Sequence, residues 1–284
     1  MDLSYYPGCS LESTAREYNN SAVAASKALG LNLIELEDWV CCGATSAHST
    51  NQLLSYSLPA VNLAIAQKAG RDLAVPCAAC YSRLKKTDHV LRNDQCKKQE
   101  LEKSADFKYS GGVKVMSLLE AYATRLGADK VKAQVKKPLE GLKVACFYGC
   151  LLVRPPEVTC FDNPENPRSM DHLMKAAGAD PVKWSYRTDC CGANLSLTTS
   201  QTVQKMVDRL LDMAEEAGAQ AMVTACPLCQ TNLETRRGSR KDRLPSFYFT
   251  ELLGIALGLT NYKDWLSKHI VDPLPLLRSL KLAE

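Results

Sequence analysis

Two short segments decide how this chain is read: WVCCGATSAH at 39–48 and TDCCGANLSL at 188–197. Each sets two cysteines side by side and follows them with a glycine. Neighbouring side chains point to opposite faces of a strand and diverge by about 100° on a helix, so neither element aims both sulfurs at one point. A bent loop does, and glycine after the pair permits φ > 0 and a close backbone approach to something bulky.

Working outward, YYPGC (5–9) aligns with CFYGC (146–150), and VPCAAC (75–80) aligns with TACPLC (224–229). Ten of the 13 cysteines fall into register. The first half reads Cys9, 31 residues, Cys41-Cys42-Gly43, 33 residues, Cys77-x-x-Cys80; the second reads Cys150, 39 residues, Cys190-Cys191-Gly192, 33 residues, Cys226-x-x-Cys229. The identical 33-residue gap marks an internal duplication.

Secondary-structure signals repeat with it. Strands LSYYP and LKVACFY lead to each first cysteine, and helical segments near 13–29 and 168–178 end at Gly30 and Gly178. Strands LNLIEL and PVKWSY run into each C-C-G loop. Helices at about 59–69, with Pro59 near its first turn, and about 200–217 follow, then strands DLAVP and AMVTA and a C-x-x-C opening another helix. The expected fold is α/β: two pseudo-symmetric tandem β-α-β units with mostly parallel sheets. All three cysteine motifs of each half then sit at strand carboxyl ends, where ligands collect in such sheets. Pro138 and Gly141 lie in the polar stretch 127–143, placing the division at 1–135 and 136–284.

Composition sets the chemical setting. With 284 residues, 46% hydrophobic and 23% charged, the chain buries a full core. Its formal charge of +4 is modest, and no basic stripe interleaved with aromatics occurs, so nucleic acid is not an expected partner. No leader pattern opens the sequence and no membrane segment is found, so the expectation is a cytoplasmic protein. In that reducing compartment patterned cysteines read as metal or redox sites rather than disulfides.

Structural zinc takes four ligands, and five cysteines per half overshoot it in both copies. A thioredoxin-like pair uses two of the five. Both stay as competing readings, with iron–sulfur clusters the natural destination for so many thiolates. The helix after each C-x-x-C is expected to favour thiolate at Cys77 and Cys226. Cys146, in an apolar strand, reads as a buried small hydrophobe, and Cys96 and Cys160 read as incidental.

The doubled pattern resembles the cysteine-rich C-C-G domain family and, over nearly the whole chain, the B component of heterodisulfide reductase. The second half departs only in YGC for PGC and in its longer first gap. The resemblance implies two non-cubane [4Fe-4S] clusters, held by Cys9, Cys41, Cys42, Cys77 and Cys80 and by Cys150, Cys190, Cys191, Cys226 and Cys229. It implies an enzyme, a disulfide reductase acting on a mixed thiol disulfide such as that of coenzyme M and coenzyme B. Two one-electron centres suit that two-electron reduction. No G-x-G-x-x-G follows a strand, so electrons must come from outside. The implied partners are the ferredoxin-like and the flavin-containing subunits of the same complex, with hydrogenase or formate dehydrogenase modules in a larger assembly. The alternative is an electron-relay component of a lactate, glycolate or glycerol-3-phosphate type dehydrogenase; a structural metal protein is a further rival. His48, Arg154 and Arg187 lie near the cysteines in sequence, each read equally as cleft lining or as an ordinary satisfied side chain, and none is assigned to catalysis.

Overall fold

The structure, a computed structural model, describes residues 1–44, 47–238 and 244–284. In the first half β1 (Asp2–Tyr5), β2 (Asn32–Glu35), β3 (Leu73–Val75) and β4 (Val115–Ser117) form a sheet in the order β2-β1-β3-β4. In the second, β5 (Lys143–Phe147), β6 (Asp180–Pro181), β7 (Ala221–Thr224) and β8 (Ser246–Tyr248) repeat it as β6-β5-β7-β8. Every pairing is parallel. The inner strands β3 and β7 are buried throughout, as parallel sheets covered on both faces require, whereas the edge strands β2 and β6 are partly exposed.

The sequence signals hold for the order of elements and miss in three places. Each half has a fourth strand, β4 or β8, only three residues long and too short to leave a periodic signature. The segment expected as a strand over 181–186 pairs only at Asp180–Pro181. Beyond Val182 it bulges away, the Trp184 indole donates to the Cys146 carbonyl at 3.1 Å, and the chain returns at Arg187, whose carbonyl accepts from the Tyr148 and Gly149 amides. Finally, the helix expected from about 59 starts at Gln52, so Pro59 lies inside it and not in its first turn. That helix begins earlier because the Asn51 side chain caps it, accepting from the Leu54 amide at 2.9 Å.

The halves grip each other reciprocally. Helix Arg16–Ala28 of the first half packs on helix Phe249–Ala256 of the second, and helix Ser169–Ala176 packs on helix Leu118–Ala121. One apolar core runs through both. At its centre, Tyr18 is fully buried, stacks on Tyr248 at 4.0 Å, and places its hydroxyl 3.4 Å from the Pro76 carbonyl and 3.3 Å from that of Ala225. One phenol thus ties together the chain just before Cys77 and just before Cys226. Tyr18→Phe should cost about 1 kcal/mol, the usual worth of a buried hydrogen bond, read as a lower denaturant midpoint at unchanged slope.

Candidate metal centre

The three cysteine motifs of each half leave the carboxyl ends of three adjacent strands, β1, β2 and β3 or β5, β6 and β7. Cys77 and Cys226 are the residues capping helices Ala78–Asn93 and Pro227–Thr235, with Cys80 and Cys229 in the first turns. The C-C-G loops are pinned by asparagines from neighbouring helices. Asn62 accepts from the Val40 amide at 2.9 Å and donates to the Val40 carbonyl at 2.8 Å, just before Cys41. Asn232 donates to the Cys191 carbonyl at 2.8 Å and accepts from Ser196 at 2.8 Å.

The vicinal cysteines do not share one target. Cys41 pairs with Cys9, whereas Cys42 Sγ lies 3.2 Å from Cys80 Sγ, which in turn meets Cys77. The second half repeats this: Cys150 and Cys190 sulfurs are 4.0 Å apart, Cys191 and Cys229 3.3 Å, and Cys229 meets Cys226. Each half therefore offers two groups of sulfur bridged by its vicinal pair. Cys77 and Cys226 face each other across the two halves, and each thiol shifts the other's proton affinity. These separations exceed a disulfide bond, and every cysteine is a free thiol.

The glycines are used differently from the expectation. Gly43 and Gly192 do have φ of 69° and 77°, but a Cβ there would strike Ala47 at 2.8 Å or Val203 at 3.1 Å, so they clear the following helix. The sulfur is cleared by the glycine before the first cysteine. A Cβ on Gly8 would come within 3.1 Å of Cys80 Sγ, and one on Gly149 within 3.2 Å of Cys229 Sγ. Both lie in the left-handed region, at φ 71° and 65°.

Charge is shared unevenly among the thiols. Cys226 is held well below the usual thiol range by the Cys229 and Cys77 thiols and by the backbone N–H groups of Cys229 and, from the other half, Ala78. Cys77 goes the other way, raised first by the facing Cys226 thiol and then by burial. Cys42 is lowered to about 7 by Cys80, the Ala44 amide and the Arg83 guanidinium, and Cys190 to about 6 by Cys150 and the Gly192 amide. Sulfur neighbours and burial raise Cys80, Cys150 and Cys229.

The other singled-out residues separate. Arg187 is a buried structural ion: its guanidinium meets Asp171 at 3.1 Å and the Pro167 carbonyl at 2.9 Å. Arg154 pairs with Glu165 at 2.8 Å and, with Lys86 and Cys150, lines a cleft of about 450 Å³. His48, on the short helix Ala47–Thr50, is held below the usual histidine range by burial and by Arg83 and Lys86. Cys146 is fully buried, and Cys96 and Cys160 are exposed. Sequence reasoning missed Arg83, three residues after Cys80, whose signal was its one-turn spacing, and Asn62 and Asn232, which look like ordinary helix residues.

The pattern of the cysteine-rich CCG domain matches residues 3–85 and 144–234, more than half of the chain. The chain belongs to the cysteine-rich CCG domain family. This CCG protein is 32% identical, over 97% of its length and 99% of the relative's, to a Wolinella succinogenes protein named 8-methylmenaquinol:fumarate reductase membrane anchor subunit. It is 26% identical, over 98% of its length and 96% of the relative's, to the B component of the ferredoxin/F(420)H(2)-dependent CoB-CoM heterodisulfide reductase of Methanosarcina acetivorans. A crystal structure of a hypothetical protein from Helicobacter pylori shares the fold, with a TM-score of 0.73 at 14% identity over 95% of this chain and 51% of that one. Both named relatives are subunits of oxidoreductases. Among the described residues, no helix is long and apolar enough to cross a membrane.

Proposed function

We propose that this CCG protein is the iron–sulfur subunit of a heterodisulfide reductase-type complex, reducing a mixed thiol disulfide to two thiols with electrons from partner subunits. The observation behind it is the meeting of two equivalent sulfur constellations at Cys77 and Cys226. The donor set suits iron–sulfur chemistry: five free thiols per half, with a glycine clearing each sulfur group. Five sulfurs also exceed the four corners of a structural zinc site in each half.

Cys9, Cys41, Cys42, Cys77 and Cys80 would hold one non-cubane [4Fe-4S] cluster, and Cys150, Cys190, Cys191, Cys226 and Cys229 the other. When bound, such clusters supply one-electron transfer and an iron site for substrate sulfur. The protein's share is positional. Asn62, Asn232 and Arg187 fix the loops, Arg83 favours charge at Cys42, and Lys86 gives the cleft beside Cys150 a cation for an anionic disulfide, Arg154 there being paired with Glu165. The duplication divides at 1–135 and 136–284, and the protein works in the cytoplasm. Its donors are ferredoxin-like and flavin-bearing partners, because the chain carries no dinucleotide fingerprint of its own.

The identity to a fumarate reductase subunit favours a second reading, in which the sites relay electrons within a dehydrogenase or reductase and cleave nothing. Anaerobic turnover with an artificial low-potential donor separates the two. Thiol release from a mixed disulfide, lost in both Cys9→Ser and Cys150→Ser, is the expected result. A protein that accepts electrons and releases no thiol from any disulfide overturns the first reading in favour of the relay.

A further inference from the structure

Apart from the ten patterned cysteines, a cavity of about 440 Å³ lies at the seam between the halves. It is lined from the first half by Lys114 and Glu120 and from the second by Cys160, Asp162 and His172. Cys160 is an exposed free thiol that ends the short helix Pro156–Thr159 in the left-handed region, at φ 47°. The chain is fixed on both sides of it. The Thr159 carbonyl accepts from the Tyr81 hydroxyl at 3.3 Å, and the Asp162 carboxylate accepts from the Arg168 and Ser169 amides at 2.9 and 2.7 Å. Cys160 Sγ itself reaches the Glu157 carbonyl at 3.6 Å, a weak contact for a thiol.

Glu120 gives the cavity its chemical preference. The residue is 4% exposed; Oε1 pairs with Lys114 at 3.1 Å, whereas Oε2 is buried and has no hydrogen-bond partner among the described residues. The nearby Tyr81 phenol is held above its ordinary range by burial, then by Glu120 and Cys160, and its one proton is directed to the Thr159 carbonyl, so it does not serve Oε2. A buried carboxylate oxygen without a donor is unfavourable, and a ligand that brings an N–H relieves it. The formal charges point the same way: Glu120 and Asp162 against Lys114 leave the lining net negative, which favours a cation. An ammonium group meets both conditions, and a cavity of this size takes a small organic molecule. The thiol in the same wall adds reactivity toward a sulfur electrophile.

We propose that this cavity is a modification site, at which Cys160 forms a mixed disulfide with a small aminothiol whose ammonium group is held by Glu120. The co-reactant is the corresponding low-molecular-weight disulfide. Cys160 Sγ, as thiolate, attacks one of its sulfurs; the new Sγ–S bond forms, the S–S bond of the reagent breaks, and the departing thiolate takes up the proton that Cys160 released. Oxidation of the protein thiol is balanced by reduction of the reagent, and no further oxidant enters. The site shares no residue with the ten patterned cysteines, so the inference does not rest on what they hold.

The test follows adduct formation on the anaerobically prepared full chain, residue by residue, by peptide mass spectrometry. Two probes are compared: cystamine, which carries an ammonium group on each arm, and 2-hydroxyethyl disulfide, which carries none. Cys96, exposed on helix Gln95–Ser104, is the reference thiol within the same molecule. At Cys160 the rate should saturate with cystamine, because binding precedes exchange, and should rise linearly with 2-hydroxyethyl disulfide; at Cys96 both should be linear. Glu120→Gln should slow the cystamine reaction at Cys160 by about tenfold, the effect of one charge-assisted hydrogen bond, and leave the 2-hydroxyethyl disulfide rate unchanged. The saturation curve of the wild type keeps the test decisive if that variant does not fold. A linear cystamine dependence at Cys160, or an unchanged cystamine rate in folded Glu120→Gln, overturns the site.

Discussion

Cys191→Ser should empty the second cysteine site and leave the first filled, halving the iron of anaerobically prepared protein from about eight to about four atoms per chain. Cys191 is buried, 3.3 Å from Cys229, and is the link between the Cys226–Cys229 sulfurs and the Cys150–Cys190 pair. A serine oxygen is a hard donor on a shorter bond and replaces neither the softness nor the reach of the thiolate. The first site draws its five sulfurs from loops of the other sheet and touches the second where Cys77 and the Ala78 amide face Cys226, so its own set stays complete. Cys42→Ser should give the mirror result. Cys96→Ser, at an exposed position on helix Gln95–Ser104, should keep all the iron. Zinc in place of iron in the wild type, or loss of both sites from either substitution, contradicts the assignment of two separate five-cysteine sets.

Arg187→Ala should destabilise the protein by about 3–5 kcal/mol, the cost of leaving a buried charge without its partner. Asp171 would retain the Tyr148 hydroxyl at 2.7 Å, with Arg168 at 3.7 Å as its remaining cation. The Pro167 and Trp184 carbonyls would lose their guanidinium donors as well. The effect should reach the metal site, because the Arg187 backbone carbonyl receives the Tyr148 and Gly149 amides immediately before Cys150. Iron should therefore fall in the second half while the first half keeps its share. Replacing both partners, as Arg187→Met with Asp171→Leu, should recover most of the stability, since the penalty belongs to the orphaned charge. Chemical denaturation of the three proteins decides it: a single variant as stable as wild type would show that the pair contributes nothing.

The repeated half, the parallel α/β order and the convergence of ten cysteines at strand ends were legible because they rest on spacing. Strand–helix alternation leaves few topologies, and one topology places all three motifs at the same edge of each sheet. Strands β4 and β8 were not legible, because three buried residues carry no periodicity. The end of β6 was not legible either: it is decided by the Trp184 indole and the Arg187–Asp171 pair, contacts between residues far apart in sequence.

Within the site the same division holds. That Cys41 and Cys42, or Cys190 and Cys191, leave a strand end of the same half as its other three patterned cysteines is written in the order of residues along the chain. Which sulfur joins which group is decided by three-dimensional packing: Cys9 with Cys41, Cys42 with Cys80, and Cys77 against Cys226 across the two halves. Spacing determines which residues leave the strand ends together. The direction of each sulfur, the charge it carries and the burial of His269 between Glu234 and Glu251 depend on elements brought together only when the two halves close on one core.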